Sequence, residues 1–94
     1  MNFEWDDDKA IANWRKHDVE FNDATQVFWD ENRVETFDGR ELYGEDRFAC
    51  MGLFDGNVLV VIYTLREENI RLISARKAES YERRIYWENC EGQF

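Results

Sequence analysis

Ninety-four residues that are 44% apolar, with fifteen aromatics among them, suffice for one hydrophobic core in a single domain over 1–94, and they exclude both intrinsic disorder and a second domain of ordinary size. The formal net charge of −9 is unevenly placed: residues 1–46 hold fourteen Asp and Glu against five Lys and Arg, and residues 47–94 hold seven of each. Any phosphate contact must therefore use a local basic patch drawn mainly from the C-terminal half.

Phe3-Glu4-Trp5 alternates as a short strand, and Asp6-Asp7-Asp8 supplies an N-cap with carboxylates in the first turn of a helix from Asp7 to His17. Its thin apolar stripe of Ala10, Ile11 and Trp14 is expected to face inward, with Lys9, Asn13, Lys16 and His17 on the flanks. Val19 and Phe21 anchor a link to a second short helix, capped by Asn22 and ending near Trp29, which completes a helical hairpin. Arg33 to Phe37 alternates as a strand that stops at the turn signal Asp38-Gly39, and Leu42 to Glu45 reads as loop.

From Asp46 a strand carries Phe48, Cys50 and Phe54 on one face and Ala49, Met51 and Leu53 on the other, so both faces are expected to be covered. Asp55-Gly56 before Val58-Leu59-Val60-Val61-Ile62-Tyr63 is a strong hairpin signal, and Glu67-Glu68-Asn69 turns the chain into a last strand, Ile70 to Arg76. Lys77 to Asn89 returns to helical spacing, with Ala78, Tyr81 and Ile85 on one stripe, Tyr86 packing beside it, and Glu79 and Arg83 spaced for an ion pair. The order βααββββα predicts an α+β fold with helices packed on an antiparallel sheet.

Cys50 and Cys90 come without CxxC spacing, a signal peptide or an apolar run of bilayer length. This pattern predicts a cytoplasmic protein with free thiols, no metal, no other cofactor and no membrane contact.

Arg66, Arg71 and Arg76 interrupt apolar strand-like sequence, where a half-buried guanidinium is costly unless an anion or carboxylate meets it. Strict strand alternation sends Arg71 and Arg76 to opposite faces, while Arg66 depends on a hairpin register that a one-residue slip would invert. The arginines can hold phosphate or simply pair with the acidic excess. His17, the one histidine, stands beside Lys16 at a helix end, where it suits acid or base work near neutrality or a structural role against the helix dipole. Glu67 is a candidate base beside Arg66 or a solvated turn carboxylate, and Trp5, Trp14, Trp29 and Trp87 suit core or partner-surface packing better than base stacking.

Taken in order, Phe3-Glu4-Trp5-Asp6, Lys9, Asn13, Lys16-His17, Val19, Phe21, Ala24, Val27-Phe28, Gly44-Glu45-Asp46-Arg47, Thr64, Arg66, Ile70-Arg71, Ile73-Ser74-Ala75-Arg76, Ala78 and Glu82-Arg83 resemble the BrnT family of bacterial type II toxins. The resemblance implies a RelE-like fold, RNA as substrate, metal-independent cleavage that arrests translation, and a BrnA-like antitoxin through which alone operator DNA is contacted. It implies Lys16, His17, Arg66, Glu67 and Arg76 as catalytic residues and Lys9, Arg47 and Arg71 as RNA-phosphate contacts. Two departures stand out: Asp18 replaces the glycine that commonly follows Lys-His, and the N-terminal half is unusually acidic. These departures support a second reading, a catalytically weak relative that acts as a protein-binding, operon-regulating partner.

Overall fold

The computed structural model of the chain describes residues 1–41 and 44–92. Strand β1 (Asn2–Glu4) leads into helix α1 (Asp7–His17), then α2 (Phe21–Ala24), which runs on as a 3-10 helix over Thr25–Trp29. Strands β2 (Val34–Arg40), β3 (Asp46–Phe54), β4 (Asn57–Arg66) and β5 (Asn69–Lys77) follow, and α3 (Ser80–Glu91) closes the order. This is the α+β succession expected from the patterning, with one correction to the sheet. Its order is β1-β5-β4-β3-β2, antiparallel from β2 to β5, but β1 joins β5 in parallel, so the sheet is mixed. Three residues of alternating sequence carry no information on strand direction; the long return through the rest of the chain decides it.

The helical elements segregate to two faces. One core of Val19, Phe21, Ala24, Val27, Phe28, Cys50, Leu59, Val61, Tyr63, Leu72 and Ala75 lies between the sheet and α1, α2 and the 3-10 helix. The other, Met51, Val58, Val60, Ala78, Tyr86 and Cys90, lies under α3. Strand β3 thus feeds both cores, Cys50 into one and Met51 into the other, as its two apolar faces require. Both cysteines are buried and free.

Gly52 of β3 sits against the 3-10 helix so closely that a Cβ there would lie 2.6 Å from Val27 Cβ and 2.8 Å from its carbonyl oxygen. The second arm of the hairpin can approach the sheet only because this side chain is missing. Asp30, at the exit of the 3-10 helix, then ties three segments together. It accepts from Asn32 N–H (2.8 Å), Leu53 N–H (2.8 Å) and the Tyr86 hydroxyl of α3.

Several local expectations are corrected. Asp38-Gly39 does not end β2; the register shifts there as a bulge and pairing continues to Arg40 opposite Asp46. Helix α2 begins at Phe21 with Glu20 as its cap residue, two positions before the expected cap Asn22. The buried stripe of α3 is Glu82, Tyr86 and Cys90, while Tyr81 and Ile85 are exposed. Arg83 bonds Ala78 carbonyl (2.7 Å) and Ser80 Oγ (3.0 Å), not Glu79. Of the loop expected over Leu42 to Glu45, Leu42 and Tyr43 lie outside the described residues.

Helix α1 is rotated relative to its apolar stripe, of which only Ala10 packs against the core. Ile11 and Trp14 are half exposed, and the buried residue is Asn13. Its amide donates to Val19 carbonyl (3.0 Å) and Ala75 carbonyl (2.9 Å) and accepts from Ala75 N–H (3.0 Å). Past Arg71, β5 has no β1 residue beside it, and Asn13 serves Ala75 as a neighbouring strand would.

Two substitutions test this packing by chemical denaturation. Gly52→Ala should destabilise the fold by about 1–3 kcal/mol through overpacking against Val27. Asn13→Ala should cost roughly 1–3 kcal/mol for each buried Ala75 group left unpaired; an unchanged unfolding midpoint would show that water replaces the amide without penalty.

Candidate functional site

The β4–β5 register decides where the arginines go. Ile62 opposes Ser74, but Tyr63 opposes Leu72, so Ile73 is an extra residue in β5. Opposed residues share a face: Arg76 lies with Val60, and Arg71 lies with Thr64, both on the α3 side. Simple alternation assigns Arg71 and Arg76 to opposite faces; the inserted residue returns them to one. Arg66, two residues beyond Thr64 on β4, belongs to that face as well.

Sharing a face does not make them converge. With Ile73 taken up in the bulge, Arg71 and Arg76 are separated by about 13 Å along β5, and Arg66, at the far end opposite Asn69, lies roughly 20 Å from Arg76. Each also has its own carboxylate. Arg71 bonds Glu4 of β1 at 2.8 Å, Arg66 approaches Glu45 at 3.5 Å, and Arg47 pairs with Glu41 at 2.9 Å.

Arg76 is held most firmly. It donates to both oxygens of Glu82 at 2.7 and 3.0 Å, and Glu82 Oε1 also accepts Glu79 N–H at the start of α3 (2.8 Å). One buried carboxylate therefore caps α3 and ties it to β5. The Arg76 hydrogen bonds outweigh burial and hold the Glu82 carboxyl below its ordinary value. Glu4 is likewise lowered, by its hydrogen bonds from Asn69 (3.2 Å) and Arg71. For Asp30, burial pulls upward, but the bonds from Tyr86, Leu53 and Asn32 win and the carboxyl is lowered. Burial and then the Asp30 contact raise the Tyr86 phenol.

Lys9, Lys16 and His17 form a separate group. With Ala12, Asn13, Ile73 and Ser74 they line a shallow depression of about 220 Å³ at the β5 edge. The helix spacing accounts for this: residues 9, 13 and 16 share one side of α1, and Asn13 fixes that side against Ala75. No carboxylate pairs with these three side chains among the described residues. Glu67 stands in the β4–β5 turn with φ 56°, beyond Asn69, which is itself about 13 Å along β5 from Ser74, and is too distant to meet the same phosphate as His17. Glu4 and Ser74 gained no role from sequence reasoning. Glu4 stands directly opposite Arg71 in the β1–β5 pairing, which no local pattern reveals.

Asp18, which replaces a glycine of the resemblance, closes α1 in the left-handed region (φ 57°, ψ 33°), its N–H bonded to Trp14 carbonyl at 2.8 Å. Glycine suits this geometry because it has no Cβ to strain. Among the described residues, no cluster of three or more His, Cys, Asp or Glu is arranged to hold a metal, and no helix is long and apolar enough to cross a membrane.

The class is a small α+β domain in which Lys9, Lys16 and His17 line one depression beside β5, and comparison with known families makes it specific. The model of the BrnT family, ribonuclease toxins of type II toxin-antitoxin systems, matches residues 5–82. The chain belongs to that family. A search of curated proteins found no match to this sequence.

Two measurements follow. Glu82 and Asp30 are lowered in the folded state, so their stabilisation is complete above the ordinary carboxyl range and is lost as pH falls through their folded values. The thermal midpoint should therefore be flat from pH 7 to about 5 and fall below about pH 4. Glu82→Gln should be less stable at pH 7 yet lose less on acidification, and parallel profiles would remove Glu82 from the account. Asp18→Gly should raise stability by about 0.5–1.5 kcal/mol by relieving the left-handed strain and removing a carboxylate from the helix C-terminus.

Proposed function

We propose that this chain is the toxin of a type II module, a cytoplasmic endoribonuclease acting without metal, and that residues 1–94 form one toxin domain. A BrnA-like antitoxin neutralises it, translation stops when it is free, and operator DNA is contacted only through the antitoxin. Membership of the BrnT family supports the ribonuclease class. The observation that carries the siting is the depression at the β5 edge, where Lys9, Lys16 and His17 meet Ser74 with no carboxylate paired to them.

In this reading the RNA phosphate sits against Ser74, between Lys16 and His17. A base takes the proton of the 2′-hydroxyl, the 2′-oxygen attacks phosphorus, and the P–O5′ bond breaks as the 5′-oxygen receives a proton. His17 is the group suited to proton transfer, and Lys9 and Lys16 meet the charge gathering on the non-bridging oxygens. Arg71, two residues before Ile73 on the same strand, flanks the scissile position and must leave Glu4 to bind a neighbouring phosphate. Arg66 and Arg47 lie further along the strand face as contacts for the rest of the RNA, and Arg76, two residues past Ser74, is a contact that must leave Glu82. Glu67 is too distant to share the step.

The second reading, a weak or inactive relative retained as a protein-binding and operon-regulating partner, has its own support. Arg47, Arg66, Arg71 and Arg76 are each occupied by a carboxylate of this chain. Induced expression without antitoxin, followed by growth and RNA integrity, separates the two. Wild type should arrest growth and cleave RNA, and a folded wild type that leaves both untouched sinks the nuclease reading. His17→Ala should reduce cleavage by about 10²–10⁴-fold with an unchanged unfolding midpoint. Arg76→Ala should instead lose roughly 1–3 kcal/mol of stability, since Glu82 is left without its partner.

A further inference from the structure

The side of α1 that faces away from β5 carries a second surface, chemically opposite to the first. Trp5, Ala10, Ile11, Trp14, Phe21 and Asn22, with Glu20 at one end, line an open groove of about 280 Å³. Phe21 is buried and forms its floor, Trp5 packs edge-on against it at 5.9 Å, and Ile11 and Trp14 stand 50% and 49% exposed. A half-exposed tryptophan and isoleucine side by side on a helix are costly to leave against water. They are also the residues that the helix pattern alone directs into the core, and the Asn13 contact with Ala75 turns them outward.

The surroundings of the groove specify what would cover it. Asp7 precedes Ile11 by one helical turn, and Glu20 lines the groove itself. Neither of these carboxylates is ion-paired among the described residues, whereas the carboxylates beside the arginines of the sheet are. An apolar groove is thus bordered by carboxylates that no cation of the described residues neutralises. Nucleic acid is repelled there, and a second copy would bring the same carboxylates together. We propose that this groove docks a cationic amphipathic helix of a protein partner, with apolar side chains seated between Trp5 and Trp14 and Lys or Arg meeting Asp7 and Glu20. The groove shares no lining residue with the depression of Lys9, Lys16 and His17, so its occupation and the chemistry assigned to those residues are separable.

The test uses the whole chain and a synthetic helical peptide with Leu at i, i+3, i+4 and i+7 and Lys elsewhere. A control peptide has the same composition with Leu spread around the helix. The indole N–H resonances of Trp5 and Trp14 should shift on titration with the first peptide while those of Trp29 and Trp87 stay in place, and the control should bind at least ten-fold more weakly. Ile11→Ser, which alters only a half-exposed side chain, should weaken binding at least ten-fold, and Glu20→Gln should weaken it most at low salt. Three results would overturn the proposal: equal binding of both peptides, shifts spread over the acidic surface with Ile11→Ser without effect, or Trp14 shifts caused instead by self-association or by a single-stranded oligoribonucleotide. Loss of RNA cleavage by His17→Ala with peptide binding intact would leave it standing, which keeps it distinct from the nuclease reading.

Discussion

The architecture depends on how one strand edge is satisfied. Strand β5 is paired on one side by β4 throughout, but on the other side β1 reaches only from Asn69 to Arg71. Backbone groups beyond that point need partners, and the amide of Asn13 meets both the N–H and the carbonyl of Ala75. Helix α1 thereby continues the line that β1 began. That single contact fixes the rotation of α1, placing Lys9, Lys16 and His17 over Ser74 and turning Ile11 and Trp14 outward. The basic depression and the apolar acidic groove are two consequences of one buried hydrogen-bonded amide.

The other face of the sheet is governed by carboxylates that serve two elements at once. Glu82 caps α3 and grips Arg76; Asp30 accepts from the 3-10 helix exit, from β3 and from Tyr86. Such groups hold a small domain together in place of a larger core, and they make it sensitive to acid. They also explain why arginines in an acidic chain need not be free for substrate. Lys9 and Lys16 of α1, by contrast, have no carboxylate partner among the described residues.

Much of the fold was legible because it rests on local rules. The Asp6 cap, the Asp55-Gly56 hairpin, the two apolar faces of β3 and the succession of elements all follow from periodicity and turn chemistry. The errors share a cause, since each concerns a contact between residues distant in sequence. Asn13 is polar yet buried because Ala75 needs it; Tyr86, not Tyr81, is buried because Asp30 receives its hydroxyl; Asp38-Gly39 is a bulge because β3 continues alongside. None of these partners lies within reach of a local pattern.

By itself, then, the amino-acid sequence determined the order of helices and strands, the family, and the identity of the cations, because these depend on residue type and spacing along the chain. Tertiary structure alone decided which cations share a surface. One extra residue at Ile73 reverses the sidedness of everything beyond it in β5 and returns Arg71 and Arg76 to a common face. Which carboxylate each arginine meets, and which side of α1 faces water, are set by register and by the satisfaction of buried backbone groups, and both exist only once the sheet has formed.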